Sequence, residues 1–157
     1  MVDGLVGSEM CIRDRVYTTS LIVPKMQKNK WGRIINVTSV SVKEPLNYLV
    51  LSNSIRSAVV AWAKSLSVDV GKDGVTVNSI LTGYFDTERI KELNKEKSKS
   101  LNISEDEVLE KMKSLVPINR LGKTEEYGYL VSFLSSDKAA YINGASIPID
   151  GGLLRSY

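Results

Sequence analysis

The residues best equipped for chemistry are Tyr48, Ser52 and Arg56, which fall four apart within NYLVLSNSIR. A helix brings residues four apart onto one face, so they can act together. A phenol at Tyr48 would be an acid with a reference pKa near ~10 that a neighbouring cation can lower. It offers this only if the helix begins early enough to include it, and it reads more readily as a loop or first-turn packing residue. The aliphatic hydroxyl of Ser52 is a far weaker acid. A guanidinium, as at Arg56, keeps its proton through the ordinary pH range and presents a planar fork of donors. Ser39 in NVTSV falls at the end of an apolar run, where a hydroxyl often bonds the backbone. Gly83 and Thr87 in TGYFDT follow a second such run, and a glycine there allows close approach of the backbone to a ligand. The chain has no histidine and one cysteine, Cys11. The common zinc constellations, every histidine-based triad and an internal disulfide are thereby excluded, and no metal site is expected.

These residues need elements to hold them. From Val16 to Asn29 the positions Leu21, Ile22 and Met26 suit one side of a helix, which Pro24 should kink by removing a backbone donor. GRIINVTSV (32–40) predicts a β-branched strand. Over 51–70, Leu51, Ile55, Val59, Trp62 and Leu66, with Ala58 and Ala63, recur at helical spacing, and Gly71 and Gly74 end the helix. GVTVNSIL (74–81) predicts a second, buried strand. The charged stretch 88–100 reads as solvated, and Ser104 with Glu107 forms a capping box ahead of another helix. Thr124 is expected to cap a further helix whose Leu130, Val131, Phe133 and Leu134 face the core. SIPID (146–150) is a short final strand, and its Pro148 favours an edge position. Strands alternating with helices in this way give a parallel sheet with right-handed crossovers.

Composition narrows the class further. With 157 residues, 43% hydrophobic and 25% charged, the chain is sized for one globular domain. A net charge of +3, evenly scattered, points to neither nucleic acid nor an anionic membrane. No apolar run approaches the roughly 18–20 residues of a membrane helix, and a cytoplasmic protein is expected. Residues 1–15 stand apart: they show neither periodicity, and LVGSEMCIRDR is what one frame of a transposase adapter used in sequencing-library preparation would encode. On that reading 1–15 are non-native, Cys11 is not a native thiol, and 16–157 carry the function.

From Val16 to about Leu154 the sequence resembles the short-chain dehydrogenase/reductase family, in particular its 3-oxoacyl-[acyl-carrier-protein] reductases. VYTTSLIVPKMQKNKWGRIINVTSV is similar to the family's helix-to-strand segment, and AVVAWAKSLSVDVGKDGVTVNSI to its catalytic helix and the following strand. VPINRLGKTEEYGYLVSFLSSDKAAYINGASIPIDGG resembles its closing segment almost throughout. The resemblance implies an α/β fold: the C-terminal part of a doubly wound parallel, Rossmann-like sheet, about three strands with flanking helices. It also implies an NAD- or NADP-dependent oxidoreductase acting on a small-molecule carbonyl or alcohol, forming a homo-oligomer, dimer or tetramer, through the helices at 16–29 and 51–70.

In the family a Tyr, made acidic by a Lys four residues on, protonates the substrate that a Ser orients. Ser39 matches that Ser. Counting thirteen positions on places Ser52 at the Tyr and Arg56 at the Lys, so both are substituted. The resemblance therefore gives Ser39 the orienting role, Arg56 a contact to the nicotinamide ribose, and Ser52 or Tyr48 the open role of proton donor. Gly83 and Thr87 match the loop that holds the nicotinamide, although Thr82 replaces its Pro, and Asn78 matches a structural strand Asn. The family's Gly-rich phosphate turn has no counterpart here, and its proton-relaying helix Asn would fall near Cys11. Two other readings remain: a non-catalytic homologue that binds cofactor or a partner subunit, favoured by Ser52 and Arg56, and an incomplete reading frame without function of its own.

Overall fold

In the computed structural model the described residues are 2–47 and 49–156, with side chains described from residue 12 onward. Eight principal elements follow in order: α1 (Val2–Lys28), β1 (Gly32–Val37), α2 (Val50–Gly71), β2 (Val75–Thr82), α3 (Glu88–Leu101), α4 (Glu105–Ser114), α5 (Thr124–Ser135) and β3 (Ser146–Ile149). Short 3₁₀ turns occupy Val40–Val42 and Asp137–Ala139. The strands form one parallel sheet in the order β1-β2-β3, with Gly32 opposite Val75 and Ser79 opposite Ser146.

Strand β2 is buried from Val75 through Leu81 because both of its faces are covered. On one face Ile34, Val75 and Val77 meet Ala63 and Val70 of α2, with Val23 and Met26 of α1 closing the layer. On the other, Ile80 packs on Leu134 of α5 with Ile35, Leu130, Val131, Ile147 and Ile149 around it. The alternation of Ile34 and Ile35 between the two layers is the period-2 pleat. Gly74 (φ 73°) makes the turn into β2, where a Cβ would collide with the Lys30 carbonyl.

Several sequence expectations shift. Helix α1 begins at Val2 rather than near Val16, so the aperiodic segment 1–15 is helical from its second residue. Propagating an existing helix adds one hydrogen bond per residue and needs no apolar stripe, which is why periodicity gave no sign of it. Pro24 lies inside α1, which continues to Lys28. The face of α1 turned inward is Thr19, Val23 and Met26, whereas Leu21 and Ile22 are exposed. Leu51 and Ala58 of α2 and Phe133 of α5 likewise point outward, because each helix has a second apolar flank beside the one on the sheet. Strand β1 stops at Val37, short of residue 40, since Ser39 caps the 3₁₀ turn that follows. Thr124 is the first helical residue of α5 and Lys123 precedes it as the cap position; the Glu126 carboxylate reaches back to accept from the Lys123 N–H at 2.8 Å. The capping box at Ser104 and Glu107 forms as expected, with both reciprocal bonds present. Pro148 sits on the outer strand, opposite Leu81.

Candidate active site

In a parallel sheet the crossover helix runs back against the strands. The start of α2, the 3₁₀ turn after β1 and the loop after β2 therefore gather at the carboxyl end of the sheet, the customary ligand crevice of such folds. Ser39 lies there in an extended conformation (φ −148°, ψ 154°), and its Oγ accepts the Ser41 N–H at 3.1 Å. This is the backbone bond expected of a strand-end hydroxyl, and it leaves the Ser39 proton free to donate, because a hydroxyl both accepts and donates. The turn that Ser39 opens packs against α2.

On α2, Ser52 and Arg56 come together: Arg56 Nε donates to Ser52 Oγ at 3.2 Å, and both residues are half-buried. Among the described residues no carboxylate forms an ion pair with Arg56. Tyr48 lies outside the described residues, as does the side chain of Cys11.

The loop after β2 is held on both sides. The Gly83 N–H donates to the Ile149 carbonyl at 3.1 Å, and a Cβ at Gly83 would come within 2.7 Å of Asp150 Cα. The glycine is required by the end of β3. Thr87 caps α3, its Oγ1 accepting from the Ile90 N–H at 3.4 Å. Thr82 Oγ1 lies 3.2 Å from the hydroxyl of Tyr127, whose ring meets Phe85 edge-on at 5.3 Å. Burial pushes the Tyr127 phenol up, so it stays protonated as a structural hydroxyl. Asn78 is structural as well: its amide donates to Ile142 O at 2.8 Å and accepts from Ala145 N at 3.0 Å. The stretch 88–115 forms the packed pair α3 and α4.

Sequence reasoning passed over three residues that matter here. Glu44, five positions after Ser39, accepts from the N–H groups of Arg155 and Ser156 at 2.8 and 2.7 Å, and these bonds hold its carboxyl below the usual range. It ties the closing tail to the Ser39 turn across more than a hundred residues, a contact with no local signal. Tyr127 is likewise recognisable only once Thr82 is seen beside it. The Nδ2 of Asn36, buried on β1, has no partner among the described residues, and a polar residue inside an apolar strand was the one available hint. A cavity of about 110 Å³ opens beside the Gly83 loop, walled by Tyr84, Phe85, Val116, Ile118, Arg120 and Asp150. It is well below the ~300–1,000 Å³ of small-molecule sites, so these walls alone do not enclose a substrate.

The described residues fit one end of a nicotinamide cofactor. Arg56 has donors not committed to a carboxylate, suited to ribose hydroxyls, and the amino end of α3 presents backbone N–H groups beside Gly83 and Thr87. Nothing comparable fits the adenosine phosphates: the glycines with positive φ are at 74, 144, 151 and 152, with no Gly-rich turn between a strand and a helix among the described residues.

Comparison with known proteins identifies the family. The enoyl-(acyl carrier protein) reductase family profile matches residues 13–154. The NADPH-dependent reductase BacG of Bacillus subtilis is 32% identical over 131 residues, covering 83% of this chain and 51% of that protein. The 3-oxoacyl-[acyl-carrier-protein] reductase FabG of Pseudomonas aeruginosa is 33% identical over 135 residues, covering 83% and 49%. Among solved structures, YwfH, an NADPH-dependent reductase involved in bacilysin biosynthesis, superposes with a TM-score of 0.79 at 30% identity, covering 84% of this chain and 50% of that one. L-sorbose reductase of Gluconobacter frateurii, complexed with NADPH and L-sorbose, superposes with a TM-score of 0.88 at 28% identity, covering 96% and 57%. The chain spans about half the length of the curated relatives it matches. With its three-strand parallel sheet and the family match over most of its length, the chain belongs to the short-chain dehydrogenase/reductase family, an oxidoreductase family with a Rossmann-like fold.

Proposed function

We propose that residues 16–157 supply the substrate-facing half of an NAD(P)H-dependent reductase that converts a carbonyl to an alcohol, or the reverse, with 3-oxoacyl thioesters as the leading substrate class. The observation that carries this reading is the gathering of the Ser39 turn, the start of α2 and the Gly83 loop at the carboxyl end of the parallel sheet, in a chain that belongs to this oxidoreductase family. The bound nicotinamide supplies or accepts a hydride. The chain's own residues do the rest. Ser39 orients the carbonyl through its free hydroxyl proton, Arg56 engages the ribose, and Gly83 with Thr87 lines the nicotinamide side. The NADPH-dependent reductases among this chain's relatives favour NADPH over NAD as the cofactor.

Exposed apolar side chains along α1 and α2, among them Tyr17 and Leu21, each 64% exposed, and Val68, 72% exposed, support a homo-oligomer through these helices. No helix among the described residues is long and apolar enough to cross a membrane, and we place the protein in the cytoplasm. We assign the residues before Val16 no part in the site. The second reading, a homologue without catalysis, rests on the replacement of the Tyr–Lys pair by Ser52 and Arg56.

The test uses the whole protein that carries this chain. Carbonyl-dependent oxidation of NADPH across ketones and 3-oxoacyl thioesters is expected. Cofactor binding without turnover on any of them favours the second reading. The 157 residues alone should show no micromolar NADPH binding by calorimetry, since the phosphate turn is absent from them.

A further inference from the structure

We propose that Ser52 and Arg56 together form an oxyanion cradle and proton relay in which the Ser52 hydroxyl, rather than a phenol made acidic by an ammonium, hands the proton to the substrate. The proposal rests on the reductase reading above and names the groups that handle the oxygen of the substrate. Arg56 Nε donates to Ser52 Oγ at 3.2 Å, which occupies a lone pair of that oxygen and leaves its O–H to point elsewhere. A hydrogen bond from an ionised donor is roughly twice as strong as a neutral one, and it polarises the hydroxyl that accepts it into a better donor. The half-buried guanidinium has no carboxylate partner among the described residues, so its charge remains available to an anion forming nearby. Of the alternative acids, histidine is absent and the half-buried phenol of Tyr127 is engaged by Thr82, while Tyr48 lies outside the described residues and is decided by the test below.

The carbonyl carbon gains a hydrogen with its electron pair, drawn from the reduced nicotinamide, which leaves oxidised. The π pair of the C=O bond moves onto oxygen. That oxygen takes the Ser52 proton while Ser52 Oγ takes one from water, and the resulting hydroxide is neutralised in bulk, so one proton is consumed per carbonyl. Serine and the product are both aliphatic alcohols of similar acidity, so the transfer between them is close to thermoneutral. Arg56 holds the transient negative charge, the kind of fixed electrostatic support whose loss typically costs ~10²–10³ in kcat.

Neither group changes charge near neutrality. Among the residues whose side chains are described, the charged and titratable ones besides Arg56 are Lys64 and Asp69 on α2 itself and, on the elements packed against it, Lys43 and Glu44 after the Ser39 turn, Arg33 on β1, and Arg13, Asp14, Arg15, Tyr17, Lys25 and Lys28 on α1; β2 has none. None of them forms an ion pair or hydrogen bond with Ser52 or Arg56 among the described residues. Rate should therefore be flat with pH, unlike the titrating rate of a Tyr–Lys pair.

Two measurements on the whole protein test this. The first is kcat against pH: flat from about pH 6 to about pH 10 in the unmodified protein, reduced at least tenfold by Ser52→Ala, and in Arg56→Lys lowered near neutrality and given a new falling limb as the ammonium titrates near ~10.4. NADPH affinity should be unchanged in Ser52→Ala. The second needs no cofactor: the ionised fraction of bound 4-nitrophenol at fixed pH, read by absorbance, should be at least threefold higher in the unmodified protein than in Ser52→Ala. A rate that titrates between about pH 7 and 10 and survives Ser52→Ala but not Tyr48→Phe overturns the relay while leaving the reductase reading intact. A probe that ionises equally in both proteins also overturns it. Absence of NADPH oxidation with every carbonyl removes the reductase reading and the relay with it.

Discussion

Ser52 and Arg56 occupy positions one helical turn apart, and the 3.2 Å bond between them shows that the spacing which suits a phenol and an ammonium also suits a hydroxyl and a guanidinium. On the proposed reading the two pairs differ in chemistry rather than in placement. Ser52→Tyr with Arg56→Lys in the whole protein should rebuild an acid of tunable pKa on the same face, and turnover of a generic ketone with NADPH should rise at least tenfold, within the ~10²–10⁴ typical of general acid catalysis. The rate of that double variant should also acquire a titrating limb absent from the parent. A double variant no faster than the parent and equally flat with pH would mean that these positions do not face the reacting oxygen. Ser39 depends less on its neighbours' identity: its extended backbone and its bond to Ser41 N fix where the hydroxyl sits.

Among the elements, α5 is held at its start by charge. Arg120 donates twice to Glu126, at 2.8 and 2.6 Å, and the same carboxylate accepts the Lys123 N–H. The Arg120 guanidinium, followed by the Lys123 N–H, lowers the Glu126 carboxyl to about 2. A carboxyl with a depressed folded-state pKa contributes stability that is present above its unfolded value and lost as pH falls through the folded one. The Tm advantage of the unmodified protein over Glu126→Gln should therefore be full above about pH 4.5 and shrink as pH falls toward about 2. A Tm difference independent of pH over that window would show that the amide reproduces the carboxylate's bonds. The same segment walls the small cavity beside the Gly83 loop, so the ion pair also braces that wall.

At the scale of the molecule, β1 pairs only with β2 among the described residues, and its other edge is open. Val37 is 49% exposed there, its carbonyl taken by Arg15 Nη2 at 3.2 Å, and the Asn36 Nδ2 beside it has no partner among the described residues. An open apolar strand edge pairs readily with other chains. The 157-residue chain should show a mass that rises with concentration in analytical ultracentrifugation, and Val37→Lys should lower it. A monodisperse monomer with cooperative unfolding would mean that α1 covers this edge sufficiently.

The sequence by itself determined the class of the fold, the three strands and the helices between them, which are written in local periodicity and capping residues that operate within a few turns of chain. The candidate residues Ser39, Tyr48, Ser52, Arg56, Gly83 and Thr87 came instead from resemblance to the family's motifs. Tertiary structure decided what lies between distant residues. That the inward face of α1 is Thr19, Val23 and Met26, rather than Leu21 and Ile22, follows from where the sheet sits. That Gly83 is required by Asp150, that Thr82 meets Tyr127, and that Glu44 holds the tail at Arg155 and Ser156 are contacts across loops of more than forty residues. A helix with two apolar flanks does not say which one it will bury, and a lone polar side chain does not name its partner. Those choices are made only when the sheet and helices pack, because the favourable burial and hydrogen bonding that select them exist only in the assembled layers.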